Sequence, residues 1–335
     1  MTVAQSQVNR MTTLALPFVA GVVLLVLLLL LAIATGVVSI PLATVFDAIT
    51  GRADAASSAI VRDLRAPRAL LAACVGAGLA SSGAALQGTL RNPLAEPYLL
   101  GVSGGAAVGA VVAMALGLSA PLVTLAAFGG AALATMLVLS LARTIGGGAD
   151  ARLLLMSGVV VGAFANAAIM IALADAPPDR VRGALWWMMG STASASWSSV
   201  GWLAVGLVLI GGTLVMYSRE LDLLALGEEP AAALGVDVDR SPRRAFLLAS
   251  WLAAATVAAA GLIGFIGLVV PNLARAFGAR RHRAMILMSA LYGAALLVAA
   301  DLLARTLRPP SELPLGAVTA LVGVPFFLAR LRRLR

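Results

Sequence analysis

The sequence predicts an all-α membrane protein that crosses the bilayer about ten times, with some of its helices short or broken. Three observations carry this expectation. Hydrophobic residues make up 61% of the 335 and charged ones 12%, too few to clothe a soluble fold of this size. The apolar residues collect into charge-free runs close to the ~20 residues that a spanning helix needs. The 24 basic residues, every one an arginine, fall between those runs. In a soluble protein the net charge of +9 would suggest nucleic acid. Here the arginines read as topology signals, and no nucleic-acid partner is expected.

Taken in order, residues 1–13 form a polar tail carrying Arg10, and Leu14–Thr35 is the first crossing. Ala32-Ile33-Ala34 imitates a signal-peptide cleavage site, but the apolar run is too long for an ordinary signal peptide and more spans follow. Gly36–Arg68 holds too many charges to cross lipid and reads as interfacial. Ala69–Leu90 is the second crossing, rich in small residues that allow close helix packing. In the following stretch, Asn92-Pro93 and Glu96-Pro97 stop any helix, because proline lacks the N–H and restricts its predecessor. Tyr98–Gly117 and Pro121–Ala142 form a hairpin, and a glycine-rich turn leads to the fifth crossing, Leu153–Ala174. Ser157 and Asn166 within it either face a pathway or bond to neighbouring helices. Trp186, Trp187 and Trp197 flank MMGSTASAS, an aromatic belt over a short interfacial helix, and Val200–Tyr217 is the sixth crossing.

The next stretch, 218–244, is the one long charged interruption in the second half and holds six of the chain's 15 carboxylates. Gly227 offers a turn, Glu228 and Glu229 suit a helix N-terminus, Pro230 suits the first helical turn, and Gly235 a helix stop. The pattern describes a helical knob held in water, either a docking element for another protein or a plain solvated loop.

Ala245–Ala274 is charge-free for 30 residues and reads as one long helix or as two crossings joined around Gly261–Gly267. The excess of arginine expected in cytoplasmic loops decides between them. Two crossings put 16 arginines inside and eight outside, whereas one puts 10 inside and 14 outside. Two crossings give ten in all, with both termini and the knob cytoplasmic. Thirty helical residues cover roughly 45 Å, less than two full crossings, so one of the pair is short or broken. Backbone broken at membrane depth is tolerated where protein buries it or where it lines a cavity. Ala284–Ala300 and Leu313–Ala329 complete the set, and residues 1–335 read as a single transmembrane domain.

No catalytic residues, metal ligands or cofactor are expected. A Walker A loop requires lysine, and the chain has none. Ion-coupled carriers keep carboxylates inside their spans. Here Glu96 and Asp301 are placed only at the span ends. Cys74 has no second cysteine to pair with, and His282 stands in an arginine cluster without metal-ligand spacing. The residues alone describe a passive pathway driven by an external motor, with a self-contained secondary transporter or channel as the alternative.

The motifs add a family. LRAPR at 64–68, GAALQGTLRNPLAEPYLLGVSGGA at 83–106, WWMMG at 186–190, LLALGEEPAAALGV at 223–236, GLIGFIGLVVPNLAR at 261–275, DLLAR at 301–305 and ELPLGAVTALVGVPFF at 312–327 resemble the FecCD-type permeases of ABC importers, which carry iron–siderophore complexes, haem and vitamin B12. The resemblance implies a vitamin B12 permease-like fold and a homodimer in the cell inner membrane, in contact with membrane lipid. It implies two ATP-binding cassette ATPase subunits on the cytoplasmic face, which bind the ATP, and a substrate-binding protein outside. It assigns Leu226, Gly227, Glu228, Glu229, Leu234 and Gly235 to ATPase coupling, and Arg65, Arg68 and Arg305 to docking of the binding protein. Asn92 and Leu94 take the positions of a cytoplasmic gate. Two departures stand out. Asn272 replaces the histidine usual in PHIAR, and Asp150-Ala151-Arg152 replaces two small hydroxyl residues that gate the vitamin B12 permease.

Overall fold

The computed structural model describes residues 3–36, 38–146 and 151–332, and among these it forms fourteen helices and no strand. Ten correspond to the expected crossings. The first is α1 (Val3–Ala34); after the short α2 (Leu42–Thr50) comes α3 (Ala55–Thr89). The hairpin is α4 (Val102–Ala115) with α5 (Ala120–Gly146), and α6 (Ala151–Ala174) follows. Then come α7 (Pro178–Met188), which lies outside the set of ten, and α8 (Trp197–Met216). The charged insertion folds as α9 (Ser218–Leu224) and α10 (Glu228–Ala233). The remaining four crossings are α11 (Arg240–Ala260), α12 (Ile266–Ala276), α13 (His282–Thr306) and α14 (Leu315–Arg332).

Helix α3 is the centre of the bundle, with every residue from Gly76 to Gly88 buried. Its small residues make this possible. Lipid offers no hydrophobic drive for helices to associate, so backbones must approach closely enough for dispersion to act. Gly76 of α3 lies against Gly293 of α13, and Gly83 of α3 against Gly267 of α12. A Cβ at either α3 position would overlap the opposing carbonyl oxygen.

The 30-residue run divides where the arginine balance requires. Helix α11 ends at Gly261 (φ 74°), and α12 begins after Phe265, a non-glycine residue at φ 69°. With 11 residues, α12 rises only ~16 Å, about half of the ~30 Å hydrocarbon core.

Two boundaries differ from expectation. The second crossing begins at Ala55 rather than Ala69, so Arg62, Asp63, Arg65 and Arg68 lie on its opening turns. Helix continues through those charges because the arginines find partners, Arg62 donating to the Ile49 carbonyl at 2.6 Å. MMGSTASAS is not itself a helix; the interfacial helix α7 precedes it and ends at Met188. The segment after α7 is irregular because its backbone pairs elsewhere. Ser191 N–H donates to Ala260 O (2.8 Å), while Gly190 O accepts from Leu315 N–H (3.1 Å).

Candidate functional site

The charged insertion is ordered by its own sequence. Gly227 (φ 120°) makes the entry turn that branched residues resist, and Glu228 and Glu229 occupy the positive end of α10. Gly235 (φ 83°) closes the helix. Its N–H donates to Ala232 O (2.9 Å) and that of Val236 to Ala231 O (3.0 Å), the paired bonds that satisfy terminal carbonyls. Asp237 then accepts from the N–H groups of Asp239 (3.2 Å) and Arg240 (2.9 Å), opening α11, and these bonds hold its carboxyl below the usual aspartate range. The result is a rigid knob that presents Leu226 (65% exposed) and Leu234 (59% exposed) to its surroundings. Two exposed leucines thus flank a short helix closed by a glycine turn.

The segment after α3 folds back into the protein as an irregular loop. Asn92 Oδ1 accepts the Leu94 N–H (2.9 Å), a local turn that leaves Leu94 45% exposed. Asn272 of α12 steadies the loop by donating to Pro93 O (3.3 Å) while also donating to Leu268 O (2.8 Å). Arg275 donates to both Gln87 and Asn272, and Gln87 donates to Gly267 O (3.2 Å). Glu96, 8% exposed, accepts the Phe265 N–H at 2.6 Å. The loop is thus laced to the broken helix at three levels. Glu96 and Gln87 carry no motif signal as isolated residues, and only the fold shows what they hold.

At the opposite end lie the three arginines that the resemblance assigns to docking, and their side chains are turned into the bundle. Arg65 (8% exposed) donates to the carbonyls of Ile33 (2.9 Å), Ala34 (2.9 Å) and Val38, and Arg305 (9% exposed) donates to that of Ala32. Arg68 is shared by Asp301 (2.9 Å) and Glu312 (2.7 Å). Asp301 also accepts from Thr192 Oγ1 at 2.6 Å and lies 3.7 Å from Arg305. Desolvated guanidinium groups need several acceptors, and here the chain supplies them itself. Glu96 and Asp301, expected at the span ends, are both buried. Asp301 is 2% exposed inside α13, and Glu96 is buried against Phe265.

The sequence model of the FecCD transport family matches residues 24–333. The chain belongs to the FecCD transport family. The hemin transport system permease protein HmuU of Yersinia pestis is 41% identical over 322 residues, covering 93% of this chain and 95% of HmuU. The cobalamin import system permease protein BtuC of Halobacterium salinarum is 43% identical over 278 residues, 82% of this chain and 73% of BtuC. A solved structure described as an inward-facing metal-chelate type ABC transporter superposes with a TM-score of 0.85 at 29% identity, over 95% of this chain and 99% of that one. In the FecCD family the permease is the membrane subunit of an ABC importer, and separate subunits hydrolyse ATP.

In this FecCD permease Leu226, Gly227, Glu228, Glu229, Leu234 and Gly235 come together on the knob, and Asn92 and Leu94 on the loop beneath α3. Of the Asp150-Ala151-Arg152 departure, Asp150 lies outside the described residues, while Ala151 and Arg152 open α6. Of the two polar residues singled out in α6, Ser157 is buried, while Asn166 is exposed, one turn before the exposed Met170.

Proposed function

We propose that this chain is the permease of an ATP-driven importer that moves an iron(III) chelate across the cell inner membrane. The observation that carries the reading is the knob, an ordered, capped, exposed helix on a chain that has no lysine for a phosphate-binding loop of its own. A partner ATPase seats Leu226–Gly235 and pushes on it. The gate loop around Asn92 and Leu94 opens in response. A second copy of the chain forms the other wall of the pathway, supported by the exposed Asn166 in the largely apolar α6. A substrate-binding protein delivers the cargo from outside, and the termini and knob lie in the cytoplasm. Relatives named for hemin and cobalamin support a bulky metal chelate as cargo.

A self-contained secondary carrier is the second reading, favoured by one observation, the buried carboxylate of Glu96. One experiment separates the two. Uptake of labelled iron–siderophore and of cobalamin is compared in a deletion strain with and without the restored gene and with and without ATP depletion. ATP-dependent iron-chelate uptake supports the importer; uptake that survives depletion rejects it. Replacement of Glu228–Gly235 by a flexible linker is expected to abolish ATPase co-purification, and retention of the ATPase would reject the docking role of the knob.

A further inference from the structure

We propose that His282 is the positioning residue through which movement of the knob reaches the gate loop. The inference rests on the reading of Leu226–Gly235 as the segment that seats the ATPase, with α9 leading into it. Asp222 of α9 accepts from the backbone N–H of His282 at 2.9 Å and lies 2.7 Å from the ring Nδ1. A carboxylate only accepts, so Nδ1 carries the hydrogen. His282 is the first residue of α13, where the N–H has no partner within its own helix and the helix end carries partial positive charge. The knob therefore caps a crossing helix with its own carboxylate.

The far edge of the same ring lies over Gly88, in the last turn of α3. A Cβ at position 88 would stand 2.5 Å from Nε2 and 2.6 Å from Cδ2 of His282, so only glycine leaves the ring its place. Gly88 leads directly into the gate loop: its carbonyl accepts the Arg91 N–H (3.3 Å), and that of Gln87 accepts the Asn92 N–H (3.2 Å). One imidazole is thus held between the knob on one edge and the root of the gate on the other. Its side chain is 12% exposed and has little room to swing aside. A flat ring without internal torsions passes a displacement on, where a long flexible side chain would absorb it. Leu221 of α9 packs in the same apolar cluster as Leu86 of α3, but such contacts slide, whereas charge-assisted bonds fix register.

The test uses the full complex of permease, ATPase and binding protein in proteoliposomes, with iron(III) citrate, haemin and cobalamin as probes. The readouts are ATP hydrolysis and probe taken up per ATP hydrolysed. His282→Ala and Asp222→Ala are expected to hydrolyse ATP within about twofold of the parent while uptake per ATP falls roughly tenfold. His282→Asn keeps a donor for Asp222 but has no ring edge over Gly88, and is expected to uncouple as well. Adding Gly88→Ala to it places a methyl where the ring stood and restores coupling. If His282→Ala fails to assemble, the Asn variant and its Gly88→Ala rescue carry the test. Uptake per ATP unchanged in the His282 variants, or uptake and hydrolysis falling in proportion, would overturn the relay. A parent complex that moves none of the three probes on ATP would instead overturn the importer reading, and the relay with it.

Discussion

The carboxylate of Glu96 accepts the backbone N–H of Phe265 at 2.6 Å, and this one bond ties the loop after the second crossing to the break between the seventh and eighth. Phe265 sits at φ 69°, a conformation unfavourable for a side chain of its size, so its N–H needs a partner that holds it there. Glu96→Ala leaves that buried donor unsatisfied at a cost of about 1–3 kcal/mol. Glu96→Gln still offers a carbonyl oxygen and loses less. Thermal unfolding of the purified permease in detergent, followed by tryptophan fluorescence, measures both. Equal losses for the two substitutions would mean that the hydrogen bond is not what Glu96 contributes.

The Arg68–Asp301 pair behaves as a buried ion pair rather than a surface one. Breaking such a pair from one side costs about 3–5 kcal/mol, because the remaining charge stays desolvated. Arg305 and Thr192 still attend Asp301 here, which places Arg68→Ala at the lower end of that range. Combined with Asp301→Ala, the two losses are expected to sum to less than their separate values by at least ~1 kcal/mol. Additive losses in a thermal double-mutant cycle would count against the pairing.

Acid should loosen the Arg68 end of the bundle through Glu312. Its hydrogen bonds from Arg68 hold the carboxyl below the usual glutamate range, partly offset by burial. A depressed folded value means that the contribution is present above the unfolded value and disappears as pH falls through the folded one. Glu312 is partly exposed and solvent screens the pair, so the effect is modest. The difference in melting temperature between the parent and Glu312→Gln is expected to shrink between about pH 7 and about pH 3. A difference that stays constant with pH would reject the assignment.

Helix approach at Gly76 leaves no space for a side chain, whereas Gly129 of α5 has nothing within 4 Å of where its Cβ would stand. Gly76→Ala forces α3 away from α13 and costs about 1–3 kcal/mol by overpacking. Gly129→Ala is expected to be neutral. Melting temperatures of the two variants decide the matter, and comparable losses would mean that the close approach at Gly76 is not what sets the cost, since alanine is the better helix former at both positions.

Much of this was legible in the chain. The knob could be read because its signals are local: a glycine entry, acidic first positions and a glycine stop act within one helical turn. The broken α11–α12 pair followed from arginine counting, since loop charge and helix length constrain each other without knowledge of packing. The inward turn of Arg65, Arg68 and Arg305 was not legible. An arginine near a span end reads the same whether it faces water or donates to partners within, and those partners lie far along the chain: Arg68 meets Asp301 and Glu312, and Arg65 meets the end of α1. For the same reason His282 had no assigned partner, because Asp222 is 60 positions away.

The sequence by itself determined the solvent, the number of crossings and the ordered knob, since these depend on hydropathy and on interactions within a few residues. Only the tertiary structure decided which polar groups are buried and what satisfies them. In a low-dielectric interior each such group must find a partner wherever the fold brings one, and separation along the chain carries no trace of that distance in space.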